Sequence, residues 1–244
     1  MKKIIVFMLL VALCVPALFS CDTINQVAGQ LGINLPSSNT ETDPLTEVTN
    51  MYYMSTPTKV VATTKQKIGA LELDCSYELV TGFVDDAPAS VYTVTSESIR
   101  SVEEGGNNEE VKDMIITTTK KTEAVEGLGA RTNGGEWNPK GTVWSVGRGR
   151  MALNLDANCL VNVVYENHKL TFVIPAEHVA TVLGEEYATD VAGDVKVTIV
   201  DDGAVITSID LRYNLKANES ANLVESEMTV KVVYTYDLER ITIE

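Results

Sequence analysis

The segment from Leu71 to Leu79 constrains the fold more than any other stretch of the sequence. Its apolar and polar side chains alternate, with Leu71, Leu73, Cys75, Tyr77 and Leu79 separated by Glu72, Asp74, Ser76 and Glu78. A period of two places the two sets on opposite sides of an extended chain. The segment therefore predicts a strand with one buried and one solvated face, as is usual in antiparallel sheets.

Similar strand patterns recur after Met51. They predict strands at Lys59–Thr64, Ser90–Ser96, Met114–Thr122, Thr142–Val146, Met151–Tyr165, Leu170–Ile174, Val195–Ile199, Val205–Tyr213 and Met228–Tyr236. In Met151–Tyr165, alternation assigns Leu153, Cys159 and Val163 to the apolar side. The sequences Glu166–Lys169 and Asp201–Gly203 are typical of tight turns between neighbouring strands.

One short helix interrupts this pattern. Pro175 suits the first helical position, and Val179, Val182 and Leu183 share one face before Gly184. We therefore predict a mainly β fold, an antiparallel sandwich or barrel-like sheet, with one short helix at about residues 175–184. Residues 51–244 are predicted to form a single β-rich domain, with a weak internal boundary near residues 127–135.

The first 20 residues have the features of a secretory signal peptide. Lys2 and Lys3 precede the apolar run Ile4–Leu13, and the small residue Ser20 precedes Cys21. The stretch Ile4–Phe19 is short for a bilayer span, which needs about 20 apolar residues. One alternative is an ordinary signal peptide cleaved nearby, with Cys21 remaining as a structural thiol.

Residues Leu18-Phe19-Ser20-Cys21 resemble the lipobox of bacterial lipoproteins, in the loose form found in Bacteroidetes. The resemblance covers residues 1–21 and implies lipidation of Cys21 with a diacylglyceryl group and an N-acyl chain, such as palmitate. It further implies a membrane-anchored protein of the cell envelope, at the periplasmic or surface-exposed face of the outer membrane. No family is recognised for the remainder of the chain. Residues 21–50 are polar and turn-rich, and we predict that they form the lipidated N-terminus and a flexible tether.

The net charge of the chain limits the classes of partner that it is expected to bind. Removing residues 1–20 takes away two lysines and no acids, so the formal charge falls from −15 to −17. Such an acidic surface repels phosphate backbones, so we predict no nucleic-acid partner. It also repels anionic headgroups, so membrane contact is expected through the lipid anchor.

Residues 127–144 contain both tryptophans of the chain and are the candidate ligand-binding segment. The residues that suit a sugar or similar ligand are Arg131, Asn133, Trp137, Asn138 and Trp144. The structural alternative is stronger, because Asn133-Gly134 and Asn138-Pro139 are turn signals that explain these residues without a ligand.

Two cysteines remain once Cys14 is removed with the leader and Cys21 is lipidated. Cys75 and Cys159 both fall on apolar sides of predicted strands, which makes them candidates for a disulfide in an oxidising compartment. Two separate buried thiols are the alternative. The sequence has no CxxC and no Cys/His cluster, so we predict no metal site and no cofactor.

The sequence offers no recognisable nucleophile–base pair. His168 is predicted in a turn, His178 in the short helix, and Asp201-Asp202 in another turn. We therefore predict a non-catalytic envelope lipoprotein whose β-domain has a binding or structural role, its partner being an unknown protein, glycan or apolar ligand. The alternative is a carrier of an apolar ligand in a calycin-like or half-barrel fold, with Leu153, Val163 and Leu211 lining the cavity. A glycan binder and a hydrolase are the weaker alternatives.

Overall fold

The computed structural model describes residues 43–68, 71–103, 111–144, 153–217, 225–237 and 239–243. Cys21 and the predicted tether up to residue 42 lie outside these ranges. The strands are β1 Lys59–Ile68, β2 Leu71–Val84, β3 Ala87–Glu103, β4 Val111–Val125, β5 Gly129–Thr132, β6 Val161–Glu166, β7 Lys169–Ile174, β8 Val191–Asp201, β9 Ile206–Leu215, β10 Ser226–Thr235 and β11 Glu239–Arg240. The helices are α1 Pro44–Met54, α2 Val179–Leu183 and α3 Glu185–Asp190.

The strands form one open sheet in the order β5-β4-β3-β2-β1-β10-β9-β8-β7-β6. All pairs along this path are antiparallel, and β11 adds a short parallel pair to β2. The mainly β, antiparallel fold is therefore confirmed. The described strands make a single open sheet, which is neither the two-sheet sandwich nor a closed barrel.

One face of this sheet, called the inner face below, carries the hydrophobic core. On β2 the inner face is formed by Leu73, Cys75, Tyr77 and Leu79, all buried as the alternation predicts. Rows of this kind continue across β1, β10, β9, β8 and β7. The opposite face, the outer face, carries exposed ion pairs such as Lys65–Glu72, which agrees with the predicted wet side.

Helix α1 covers part of the inner face and corrects the predicted length of the tether. It begins at Pro44, so residues 44–50 are helical and do not belong to a flexible segment. Asp43 caps the helix by accepting a hydrogen bond from the Thr46 amide at 3.3 Å, and proline suits the first turn. Leu45, Val48 and Tyr52 are buried against the core. Packing on the sheet therefore stabilises a short helix whose sequence contains several residues of modest helix propensity.

The predicted helix near residues 175–184 is confirmed, although the sequence did not predict its neighbour. A 3-10 turn at Ala176–His178 leads into α2, whose Val179, Val182 and Leu183 are buried on one face. Gly184, at φ +106°, ends the helix, and α3 follows directly. The helical region thus changes from 3-10 to α at Val179, is interrupted once at Gly184 and ends only at Asp190.

Two strand predictions between residues 142 and 165 are corrected by the structure. In the predicted strand Thr142–Val146, residues 142–144 are not in a strand, and residues 145–146 lie outside the described ranges. The predicted strand Met151–Tyr165 is confirmed only from Val161, where β6 begins, and residues 153–160 are not in a strand. Asn162, at φ +55°, forms a bulge where the pairing with β7 shifts register. This break in the alternation leaves Val163 38% exposed, so its predicted place in the core is incorrect, whereas Leu153 and Leu211 are buried.

The candidate disulfide is not present. Cys75 and Cys159 are both buried, and no disulfide joins them. Cys75 lies on β2 and its thiol donates to the Thr95 carbonyl of β3 at 2.9 Å. Cys159 ends a 3-10 turn that leads into β6, at the far end of the strand order. Both thiols face apolar surroundings as predicted, but they occupy different parts of the sheet.

Candidate functional site

An aromatic cluster marks the place where the buried inner face becomes open. Tyr77 on β2 and Tyr92 on β3 lie with ring centroids 6.0 Å apart. Trp144 stacks on Tyr92 at 5.4 Å with an interplanar angle of 9°. The backbone amide of Trp144 donates to Ser90 Oγ at 2.9 Å, which fixes the segment that carries the indole. We call Tyr77, Tyr92 and Trp144 the aromatic wall.

Strand register explains why these rings meet. Tyr77 lies directly opposite Val94, and Leu79 lies directly opposite Tyr92, so the two tyrosines are diagonal neighbours on one face. Both phenol rings are buried, and Trp144 is half-buried against the core. The indole therefore forms the outermost layer of the wall.

Beyond the wall, the described residues leave part of the inner face of β3 and β4 uncovered. Strand pairing places seven described side chains on this surface, which we call the β3–β4 platform. All are half-buried or exposed: Val94, Ser96, Ser98, Ile116, Thr118, Lys120 and Thr122. Val94 is directly opposite both Tyr77 and Lys120, so an aromatic ring, an aliphatic side chain and an ammonium group follow one another in one row. The platform is thus amphipathic, with apolar, hydroxyl and cationic groups beside the wall.

The predicted ligand residues are divided between the two faces of the sheet. Trp144 lies on the inner face, whereas Arg131 pairs opposite Glu123 on the outer face. Arg131 Nε donates to Glu123 Oε2 at 2.7 Å, and its Cζ lies 4.9 Å from the centroid of Trp137. The structure therefore brings Arg131 and Trp137 together but separates them from Trp144.

Both predicted asparagines serve turns, as the structural alternative proposed. Asn133, at φ +49°, accepts the Lys121 amide through its side chain at 2.8 Å. Asn138 exchanges backbone hydrogen bonds with Ala130 at 2.8 and 3.0 Å. Asn138 Oδ1 also accepts the Lys140 amide, so these contacts fold residues 133–140 against β5.

The charge of Glu123 is compensated within the protein by two cations, Lys121 and Arg131. Its carboxylate receives Arg131 on one oxygen and Lys121 on the other, each at 2.7 Å. Burial favours the neutral form of this carboxyl, but the hydrogen bonds from Lys121 and Arg131 outweigh burial and hold the pKa of Glu123 below its ordinary value. The cluster has the character of a structural ion pair.

A second polar cluster, which the sequence analysis did not connect, joins the tips of two hairpins. Asp201 is buried, and its Oδ2 accepts the Tyr165 hydroxyl at 3.0 Å. Its Oδ1 lies 2.9 Å from His168 Nδ1 and accepts the Gly203 amide at 2.8 Å. Burial, with the hydrogen bond to Asp201, raises the pKa of Tyr165 to about 12. These contacts connect the β6–β7 turn to the β8–β9 turn.

The histidine of this cluster has a side chain that is 61% exposed. A buried carboxylate that orients a solvated imidazole also occurs at general-base sites. Here the Asp201 amide additionally donates to the His168 carbonyl at 3.0 Å, so the contact belongs to the pairing of the two tips. Asp202 points elsewhere and accepts the Ala204 and Val205 amides at 2.9 Å. His178 lies apart, in the 3-10 turn before α2.

Comparisons with known proteins add little to this geometry. No family model and no curated protein matches the chain. The crystal structure of LprF from Mycobacterium bovis aligns over 82% of this chain and 95% of that one, at 11% identity and a TM-score of 0.31. A DUF1329 family protein from Desulfovibrio piger aligns over 81% and 96%, at 10% identity and a TM-score of 0.25. These are distant structural similarities, and neither assigns an activity to this chain.

Two further observations concern the described ranges. Within them, no helix is both long and apolar enough to span a membrane. In the same ranges, no group of three or more His, Cys, Asp or Glu side chains is arranged to hold a metal ion. The aromatic wall and the β3–β4 platform form the candidate site.

Proposed function

We propose that this chain is a non-catalytic envelope lipoprotein that binds an amphipathic ligand with an apolar body and an anionic group. The binding surface is the β3–β4 platform beside the aromatic wall. One observation carries the proposal: in the described part of the chain, core packing closes the inner face as far as Tyr92 of β3, whereas Val94 and the neighbouring inner-face positions of β3 and β4 are half-buried or exposed. A partly open apolar face with a few polar groups is what a small-molecule site requires.

The composition of the platform favours an anionic amphiphile over a sugar. Val94 and Ile116 offer apolar contact, while Ser96, Thr118 and Thr122 offer hydroxyl groups. Lys120 is the charged member of the platform and lies next to Val94 across the strands. Its ammonium group would pair with a carboxylate or phosphate while the apolar part of the ligand contacts the wall. Trp137, which a sugar site would use, is on the other face over Arg131.

Substitutions at adjacent residues of β3 test the proposed surface. Val94→Asp would place a carboxylate on the platform, whereas Thr93→Asp places the same group on the outer face of the same strand. We expect Val94→Asp to weaken binding of a lysophosphatidylglycerol by at least about tenfold, because a charge would have to be desolvated, and Thr93→Asp to change it by less than about twofold. Isothermal titration calorimetry, with the lipid below its critical micelle concentration, measures the affinity of both variants.

The anionic preference has a separate test. Lys120→Gln is expected to weaken the binding of lysophosphatidylglycerol several-fold. The affinity for the zwitterionic lysophosphatidylcholine should remain nearly unchanged. No saturable binding to the unsubstituted chain would contradict the proposal, as would equal losses from Val94→Asp and Thr93→Asp.

The anchor is part of the same proposal and rests on the lipobox-like sequence at Cys21. One acyl chain binds a membrane marginally, whereas two or more hold a protein firmly. We expect the expressed chain to enter the detergent phase on Triton X-114 partitioning and Cys21→Ala to move it to the aqueous phase. Detergent-phase partitioning that persists in Cys21→Ala would contradict lipidation at this residue.

A further inference from the structure

Two cations, which we call the cationic pair, lie side by side on the outer face of the sheet. Lys196 of β8 and Arg212 of β9 are directly opposite each other, and both are exposed. Within the described residues, no carboxylate lies within ion-pair distance of either side chain. Like charges directly opposite each other on antiparallel strands are destabilising. The chain has 34 acidic and 19 basic residues, so acids are in excess, yet the register sets two bases against each other.

A bulge in β8 creates this pairing. Before the bulge, Ala192 pairs with Asn214. After it, Lys196 pairs with Arg212, so β8 advances four residues while β9 advances two. Regular pairing from Ala192 would instead place Asp194 opposite Arg212, and opposite charges in that position stabilise a sheet. The bulge redirects Asp194, whose Oδ1 accepts the first amide of the 3-10 turn at 3.1 Å, and it brings a base beside Arg212 in its place.

The acids nearest to the cationic pair lie opposite other bases. Asp210 is on the same face of β9, two residues from Arg212, and is directly opposite Lys231 of β10. Glu227 of β10 is a diagonal neighbour of Arg212 and is directly opposite Lys67 of β1. The local excess of positive charge on this part of the outer face therefore comes from the cationic pair.

A hydroxyl group extends the row. Thr229 of β10 is directly opposite Arg212, so an ammonium, a guanidinium and a hydroxyl group follow one another across three strands. Directly opposite side chains are about 4.5–5.5 Å apart at Cβ, so two long cationic side chains can converge on one small anion. Arginine binds phosphate through two parallel hydrogen bonds, and lysine adds a point charge. A phosphate monoester presents three acceptor oxygens to these donors, whereas a carboxylate presents two.

We propose that Lys196, Arg212 and Thr229 bind a phosphate monoester group on the outer face of the sheet. The group belongs either to a free phosphate compound or to the headgroup of a lipid, and the experiment below distinguishes these sources. The site lies on the opposite face from the β3–β4 platform, so this inference is independent of the ligand proposed there.

Titration with inorganic phosphate tests the site on the chain from residue 21 onward, with Cys21→Ser to avoid lipidation. The ionic strength is kept constant with sodium chloride, and amide NMR spectra report on each residue. We expect saturable shifts at Lys196, Arg212 and Thr229. Arg212→Gln and Lys196→Gln should each weaken phosphate binding about fivefold or more, because each removes one charged donor. Lys231→Gln removes an exposed cation of the same face that is opposite an acid, and it should change the affinity by less than about twofold.

Lys196→Glu provides a second readout, because it places an acid opposite Arg212. This variant should lose phosphate binding and unfold at a higher urea concentration than the unsubstituted chain, since an unfavourable cross-strand contact becomes a favourable one. Phosphate should raise the melting temperature of the unsubstituted chain and leave that of Lys196→Glu unchanged. A Lys196→Glu chain that is less stable than the unsubstituted one would contradict the paired position of the two side chains.

Cosedimentation with vesicles separates the two sources of the phosphate group. Vesicles of phosphatidylcholine that contain phosphatidic acid present a phosphate monoester on a membrane, and phosphatidylcholine alone is the control. Binding that requires phosphatidic acid and is lost in Arg212→Gln identifies a lipid headgroup, whereas binding of inorganic phosphate alone identifies a free phosphate compound. No saturable response to either probe, or equal losses in Lys231→Gln and Arg212→Gln, would overturn the proposal.

Discussion

At the scale of single residues, Glu123 shows how this protein stabilises a carboxylate that is almost fully buried. It lies on the outer face, where an acidic residue is normally solvated, yet its side chain is only 5% exposed. Lys121 and Arg131 each contact one of its oxygens, and Trp137 lies over the guanidinium group. Of the residues that composition suggested as a sugar site, Arg131 and Trp137 are therefore engaged with each other.

Glu123→Gln is expected to lower the free energy of unfolding by about 1–3 kcal/mol at pH 7, because it weakens the hydrogen bonds of a buried charged group. The pKa of Glu123 is lower in the folded protein than its ordinary value of 4.5. Its contribution is therefore present above about pH 4.5 and is lost as the pH falls through the lowered folded value. The difference between Glu123→Gln and the unsubstituted protein should shrink on going from pH 7 toward pH 3.

Urea unfolding at both pH values measures this difference. Glu78→Gln is the control, because Glu78 forms a 3.3 Å ion pair with Lys59 at an exposed position of the same face and should cost less than about 1 kcal/mol. A loss for Glu123→Gln that is the same at pH 7 and pH 3 would contradict the assigned role of its charge.

At the scale of elements, the backbones of β5 and residues 137–141 approach each other closely. A Cβ at Gly129 would overlap the Asn138 carbonyl oxygen, and one at Gly141 would overlap Ala130 Cβ. Both backbones approach because neither position carries a side chain. This approach holds the Trp137 segment against the edge strand.

Gly129→Ala and Gly127→Ala separate steric contact from backbone strain. Both glycines have positive φ, +98° and +85°, but nothing lies within 4 Å of a Cβ at Gly127. We expect Gly127→Ala to cost about 1–2 kcal/mol from conformation alone, and Gly129→Ala to cost clearly more because the backbone itself must move. Thermal unfolding of the two variants measures the difference, and equal costs would contradict the close approach.

The β6–β7 hairpin offers a matched test of the corrected register. Val163→Ala should change the free energy of unfolding by less than about 1 kcal/mol because the side chain is exposed. Leu170→Ala, at a fully buried position of the adjacent strand, should cost about 2–5 kcal/mol. Similar large losses at both positions would show that Val163 is in the core after all.

At this scale the sequence predicted strands better than the segments between them. Alternation in Leu71–Leu79 identified the buried face of β2 correctly, and the Asp201–Gly203 turn joins two strands as expected. Alternation failed in Met151–Tyr165, because a bulge and a 3-10 turn change the side-chain phase without a proline or glycine to mark them. Helix α1 was missed because its stability comes from packing on the sheet, although Asp43-Pro44 was a readable start signal.

At the scale of the whole molecule, the candidate site depends on pairing that no local pattern specifies. The buried hydrogen bond from Gln66 to Ser226 joins β1 to β10 across 160 residues of sequence. Likewise, Trp144 meets Tyr92 only because the segment after β5 crosses back over the inner face. The individual aromatic residues were visible in the sequence, but their grouping into a wall required the strand order and register.

The most direct test of the binding surface uses the two tryptophans as reporters on opposite faces. In Trp137→Phe the remaining indole is Trp144 of the aromatic wall, and in Trp144→Phe it is Trp137 of the outer face. A lysophosphatidylglycerol with a brominated acyl chain quenches indole fluorescence at close contact. We expect saturable quenching in Trp137→Phe, loss of that quenching when Val94→Asp is added, and no quenching in Trp144→Phe. Quenching of Trp137 alone, or of neither tryptophan, would contradict a ligand site at the β3–β4 platform.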